Sequence, residues 1–339
     1  MSHEIDMSND RANIAYVGEK PWHGLGTQLT PEADIATWQR EAGLGFTVCR
    51  SVVKFDVDGE TLFYPDRHVL YRDDTRARLS VVSDEYNIVQ PGEILDFIAQ
   101  CVKHAGFKME VAGSLMGGKK VWALARVNDG APVIGHDVVR PYLLAVTSYD
   151  ASLSSTFKFS AIRVVCDNTV TMAAGGHTEY GNSGGQIESD KTSGPVVTCV
   201  RVPHSKKPDF NTIRQELGIV LTAWDRFLVE ARMLAEQKVD EKFVVEFLKK
   251  LLPTPTKNRE PAPVEDGRAF RHLMDIVTGK TASATLPEAQ GTAWGLLNAV
   301  TWWVDHERGS DSARLNSAWF GTGEGLKNDA KRLLVEVVS

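Results

Sequence analysis

Apolar and polar positions follow a strand-like period over most of the first 206 residues and a helical period after that. Residues 46–53 form an apolar, β-branched run. Lys54-Phe-Asp-Val-Asp-Gly-Glu-Thr-Leu-Phe-Tyr64 carries it through Asp58-Gly59, a dipeptide that favours a tight hairpin turn. Two more strands are predicted at 67–71 and 79–82. Pro91 then opens a helix that runs to Gly106, with Ile94, Leu95, Ile98, Cys101 and Val102 on its apolar stripe. The densest β region follows, with strands at 108–115, 119–127, 142–147 and 155–162. From Cys166 to Ala174 the pattern predicts a helix, with Asp167 or Asn168 as its cap. Gly175 to Gly194 reads as a long polar loop, and 195–202 as one more strand.

From Asp209 the texture becomes helical. Ile213, Leu217, Val220, Trp224 and Leu228 keep helical spacing, as do Phe243, Val244, Phe247, Leu248 and Leu251. A Pro-rich connector spans 252–263, and further helices are expected around 268–277, 292–307 and 324–338. In 292–307, Ala293, Leu296, Leu297, Val300 and Val304 share a face while Trp302 projects nearly opposite. Such a helix is either buried on both sides or touches a partner. The expected fold class is α+β: an N-terminal antiparallel-sheet domain over 1–206 with a β-β-β-β-α core, then a helical C-terminal domain over 207–339.

Composition narrows the function classes more than it names one. The 339 residues are 42% hydrophobic and 24% charged, which is ordinary soluble usage. No apolar run reaches a membrane-spanning length, and the acidic, polar N-terminus is unlike a signal peptide, so the expectation is a cytoplasmic protein with no membrane contact. Cys49, Cys101, Cys166 and Cys199 form no CxxC pair and fit reduced thiols. Nine histidines show no metal-ligand spacing, and Asp305-His306-Glu307 point to different sides of a helix, so neither metal nor cofactor is expected. The net charge of −6 does not advertise a nucleic-acid partner, yet residues 101–170 carry 8 basic against 5 acidic side chains.

Three constellations carry candidate chemistry. Arg163-Val-Val-Cys-Asp-Asn-Thr169 packs polar groups into an apolar stretch. Cys166 is a candidate nucleophile, since Arg163 and a helix start both favour thiolate, although Asp167 opposes it; the plain alternative is a buried structural cysteine. Asp167, Asn168 and Thr169 suit either a ligand or a helix cap. Pro21-Trp-His-Gly-Leu-Gly26 lacks any phosphate-loop spacing and suits tight docking of the N-terminal segment. The third constellation is basic: Lys119, Lys120, Arg126, Lys158 and Arg163, joined by Arg201, His204, Lys206 and Lys207. Strand periodicity puts Lys120 and Arg126 on one face, with Lys158 able to join them, and Trp122, Tyr142, Tyr149, Phe157 and Phe159 interleave. Cations beside exposed rings suit single-stranded DNA, whereas a solvated sheet face over an aromatic core needs no ligand.

Pro21-Trp-His-Gly-Leu-Gly-Thr27, Val81-Val-Ser-Asp-Glu-Tyr-Asn-Ile-Val89, Gly117-Gly-Lys-Lys-Val-Trp-Ala123, Arg163-Val-Val-Cys-Asp-Asn-Thr169 and Gly291-Thr-Ala-Trp-Gly-Leu-Leu-Asn-Ala299 together resemble a phage- and plasmid-associated family of unknown function. That resemblance brings no catalytic residues. The strand order of 108–174 is similar to the core of single-strand annealing recombinases, which form rings or filaments and hold DNA by its backbone without a nucleotide cofactor. The resemblance implies a homo-oligomer that aligns complementary strands, with the basic set as its groove. The other expectations are an enzyme acting on a host molecule through Cys166, Asp167 or Asn168, and a non-catalytic binder of a host defence protein.

Overall fold

The computed structural model describes residues 5–8, 11–18, 24–163, 168–171, 177–179, 199–217, 220–254, 256–257, 260–281, 287–310 and 313–338. The protein is α+β, with a mixed sheet in its N-terminal part and helices in its C-terminal part. Its residues group into two compact units that interleave along the chain. One comprises 1–128, 142–159 and 174–221; the other comprises 129–141, 160–173 and 222–339.

The first unit is built on the antiparallel strands Lys108–Leu115, Lys120–Arg126, Asp137–Ser148 (from Tyr142 on) and Ser155–Arg163 (through Phe159). Parallel pairs flank them, Ile14–Val17 with Thr27–Leu29 on one side and His177–Glu179 with Cys199–Val202 on the other, so the sheet is mixed where a purely antiparallel one was expected. At Gly26 φ is +114°, and a Cβ there would sit 2.8 Å from Ile14 Cγ2. This is the close docking that the glycines of the 21–26 string suggest; Trp22 and His23 lie outside the described residues.

Helix Pro91–Ala105 forms as its stripe predicts. The Gln90 backbone N–H donates to Glu93 Oε2 at 2.7 Å at its start, and Gly106 at φ +71° ends it. The helix covers one face of the sheet. Phe97 meets Phe157 at 4.7 Å between ring centres, and Phe210 of helix Phe210–Leu217 closes the cluster at 5.7 and 5.9 Å. A separate three-stranded sheet orders Val48–Val57, Glu60–Arg72 and Arg78–Ser83, with Asp58 (φ +52°) and Gly59 (φ +85°) making the tight turn. Its root is held by Arg72, which stacks on Phe46 at 4.0 Å and donates to Asp6 Oδ2 at 2.8 Å. Asp6 also accepts from Asn13 and Ser114.

In the second unit, helix Ala293–His306 is buried around its circumference. Trp294, Leu296, Leu297, Val300, Trp303 and Val304 are all in the core. Trp294 Nε1 donates to Asp137 Oδ2 at 2.9 Å, and Lys327 Nζ to Asp305 Oδ1 at 2.7 Å. Burial on two sides therefore accounts for this apolar helix, while Trp302 lies half-buried against His306. Asp305, His306 and Glu307 go three ways, to Lys327, Trp302 and His272.

One expected element is overturned. Asn168–Thr171 is not the first turn of a helix; it is a strand that pairs antiparallel with Ser160–Arg163, placing Arg163 opposite Asn168 and Ile162 opposite Thr169. Thr169-Val170-Thr171 are consecutive β-branched residues, which resist helix and suit a ladder. The β-β-β-β-α core thus continues as strand at this point, and Asn168 and Thr169 are not helix caps. Cys166 and Asp167 lie outside the described residues, as does most of 175–194.

Candidate nucleic-acid interface

The register of the first unit decides where its cations go. Lys120, Trp122, Leu124 and Arg126 share one side of their strand, opposite Ser148, Val146, Leu144 and Tyr142 of the neighbour. Val121, Ala123 and Ala125 take the other side, opposite Thr147, Ala145 and Leu143. Thr147 Oγ1 meets Ser155 Oγ at 2.8 Å, so Ser155, and with it Phe157, belongs to this second side. Phe97 of helix Pro91–Ala105 packs there, and the three alanines let the helix approach closely. Lys158 alternates with Phe157 and falls on the first side. Arg201, in register with Thr156, joins it. Four cations, Lys120, Arg126, Lys158 and Arg201, therefore occupy the sheet face opposite the helix.

Their surroundings differ. Lys120 and Lys158 are buried, at 4% and 6% exposure. Arg126 is half-buried, its Nε 3.2 Å from Glu110 Oε2, and Glu110 Oε1 accepts from Tyr142 OH at 2.7 Å. Arg201 is half-buried. The interleaved rings of Trp122, Tyr142, Tyr149, Phe157 and Phe159 are all in the core, so none stands out for base stacking. The side chain of Arg163 is outside what the structure describes.

Lys119 directly precedes Lys120, which begins its strand opposite Ser148, and Lys206 and Lys207 follow shortly after Val202, which stands opposite Ser155, so all three flank strand ends at the same end of this sheet. A hydrogen-bonded clasp ties the loops there. Tyr149 N–H donates to Lys119 O at 2.7 Å, Tyr86 OH to Ser148 O at 2.6 Å, and Tyr149 OH to Val89 O at 2.9 Å. His204 stacks on Tyr86 with ring centres 4.2 Å apart. Its Nε2 lies 2.9 Å from Leu153 O and its Nδ1 3.2 Å from Asn87 O. Burial lowers the His204 pKa against the pull of those two carbonyls and of Asp150, which disfavours the charged ring at this position. Lys119 and Lys206 are half-exposed and Lys207 is exposed. Arg126 sits at the opposite end of its strand, so the basic set divides into a sheet-end group and a face group.

Sequence reasoning missed the clasp partners, Tyr86 and Asn87, because nothing in their spacing reports contact with His204. Of the thiols, burial pushes Cys101 up to about 11, which makes it unreactive, and Cys199 is buried. Among the described residues no group of His, Cys, Asp or Glu could hold a metal ion, and no helix is long and apolar enough to cross a membrane.

The fold and this site define an α+β protein with a cation-bearing sheet face and a lysine-rich sheet end. The chain belongs to the family described as a domain of unknown function (DUF932), whose model matches residues 78–181 and 192–320. Comparison with curated proteins and with solved structures finds no match to either.

Proposed function

We propose that this chain is a nucleic-acid-binding protein of a mobile element, a single-strand annealing or recombination-mediating factor that works as an oligomer without catalytic turnover. The observation that carries the reading is the accessibility of Lys119, Lys206 and Lys207, which flank strands meeting at one end of the sheet whose face holds Lys120, Arg126, Lys158 and Arg201. The phage and plasmid association rests on the sequence strings above.

With the rings buried, phosphate contact is the mode left open, and it leaves the bases free to pair with a second strand. The accessible lysines make first contact. The test is fluorescence anisotropy with labelled oligo-dT and a matched duplex across a salt series. Lys119→Glu, Lys206→Glu and Lys207→Glu together should weaken single-strand binding and flatten its salt slope by about 2, at roughly 0.7 per phosphate contact. Lys120→Glu is unsuitable, because a carboxylate at a buried position would disturb the fold. Absence of binding at low salt, or a triple variant that binds like the parent, would sink the reading.

A further inference from the structure

The distal half of hairpin Val48–Val57/Glu60–Arg72 has no cover among the described residues. Strand Arg78–Ser83 pairs only with Arg67–Tyr71, so residues 53–57 and 60–64 form a two-stranded ribbon with both edges open. The pairs are Val53 with Tyr64, Phe55 with Leu62 and Val57 with Glu60, which puts Val53, Phe55, Val57, Leu62 and Tyr64 on one face. Phe55, Val57, Leu62 and Tyr64 are 41–50% exposed. On the other face Lys54 Nζ lies 5.2 Å over the exposed Phe63 ring, and Thr61 donates to Asp56 at 2.7 Å. An isolated two-stranded ribbon is marginal in water, and an open, straight edge invites another strand.

The residues of that edge specify which strand. Val53-Lys54-Phe55-Asp56-Val57 has a charge pattern that is complementary to itself when reversed about Phe55. An antiparallel second copy sets Lys54 against the partner's Asp56 and Asp56 against the partner's Lys54 on one face. On the other it sets Phe55 against Phe55 and Val53 against Val57 twice. The opposite edge, Glu60-Thr61-Leu62-Phe63-Tyr64, offers no such match, and Pro65 follows it in the bulge. We infer that residues 53–57 pair edge to edge with the same residues of a second copy, joining two ribbons into a four-stranded sheet about a two-fold axis. This deepens the oligomer part of the reading proposed above and locates it in a segment that precedes the matched family residues.

Five residues a side is far below the 20–30 of a standard interface, so the dimer is weak and concentration-dependent. The test is sedimentation equilibrium of the full chain without nucleic acid, from about 1 to 200 μM, which keeps its failure separate from failure of the binding reading. The parent should associate with a Kd of order 10 μM. Lys54→Asp and Asp56→Lys, both at exposed positions, should each place like charges across the axis and weaken association at least tenfold, with unchanged circular dichroism. Mixing the two variants, or combining them in one chain, restores opposite charges and should recover association. A parent that stays monomeric to 200 μM overturns the proposal and leaves the ribbon to a different protein. So do charge variants that associate like the parent, or a mixture that fails to recover.

Discussion

Two hairpins of the first unit share a sequence signature and have opposite fates. Lys108–Leu115 with Lys120–Arg126 is covered so fully that Val121, Ala123 and Ala125 have no exposure and Trp122 only 4%. The ribbon of Val53–Val57 with Glu60–Tyr64 alternates as well, yet its rings face solvent, Phe63 at 61%. Period-two patterning specifies a face and is silent on what covers it. Cover follows from neighbours. On the face of Val121, Ala123 and Ala125 the first hairpin has a helix whose Phe97 reaches the sheet and alanines that let it come close, while the second extends past the end of its third strand.

The largest effect that sharpens this contrast is a matched pair of truncations. Trp122→Ala should cost roughly 3–5 kcal/mol in urea unfolding of the first unit, as a large buried ring does. Phe63→Ala should stay within about 0.5 kcal/mol of the parent, because the ring is 61% exposed and rests against Lys54. Equal losses would mean that the ribbon is covered in solution as the inner hairpin is. Next in size is the root of the ribbon. Asp6→Ala removes the shared acceptor of Arg72, Asn13 and Ser114 and leaves a buried guanidinium short of its partner, at a cost of roughly 3 kcal/mol. Arg72 keeps Asp74 at 2.7 Å, so the variant should fold. Urea midpoints for Asp6→Ala and Asp6→Asn read the effect, and a loss under 1 kcal/mol would refute the anchoring role.

Local signals of the fold were legible, and long-range ones were not. Asp58-Gly59 announced its turn and Pro91 and Gly106 bounded their helix, while the two apolar sides of 293–306 left burial and partner contact both open until the structure showed burial. Parity placed Lys120 and Arg126 on one face, and the register then brought Lys158 there. The helix expected after Cys166 gives way to strand because Asp167 and Asn168 as caps are local signals, whereas the β-branched Thr169-Val170-Thr171 find a partner strand just before them. Short helices Ile35–Glu41 and Arg314–Phe320 carry too few turns for a period to show. Which cations stay accessible was not legible either. Lysine at a strand position looks the same whether its face is open or closed, so only the packing separates buried Lys120 from exposed Lys207.

The smallest effect concerns the clasp that holds the lysine-rich sheet end, a polar counterpart to the ribbon's open edge. Burial lowers the folded-state pKa of His204 below its ordinary value near 6.5. Burial therefore favours the neutral ring in the folded chain. Well above pH 6.5 the ring is neutral in both folded and unfolded chains, and pH has no leverage through it. As pH falls from there toward the folded-state pKa, the unfolded chain takes up the proton first. Stability is therefore lost over that window, with a slope of at most about 1.4 kcal/mol per pH unit. Below the folded-state pKa the loss is complete and constant. His204→Gln keeps a donor for Leu153 O and cannot titrate, so its stability between pH 5 and 7.5 should lack that component of the parent's slope. The same variant should leave the exposed ribbon unchanged. If parent and variant melt in parallel across the range, His204 does not titrate differently in the folded chain, and the lysines at the sheet end owe their placement to the Tyr86 and Tyr149 hydrogen bonds alone.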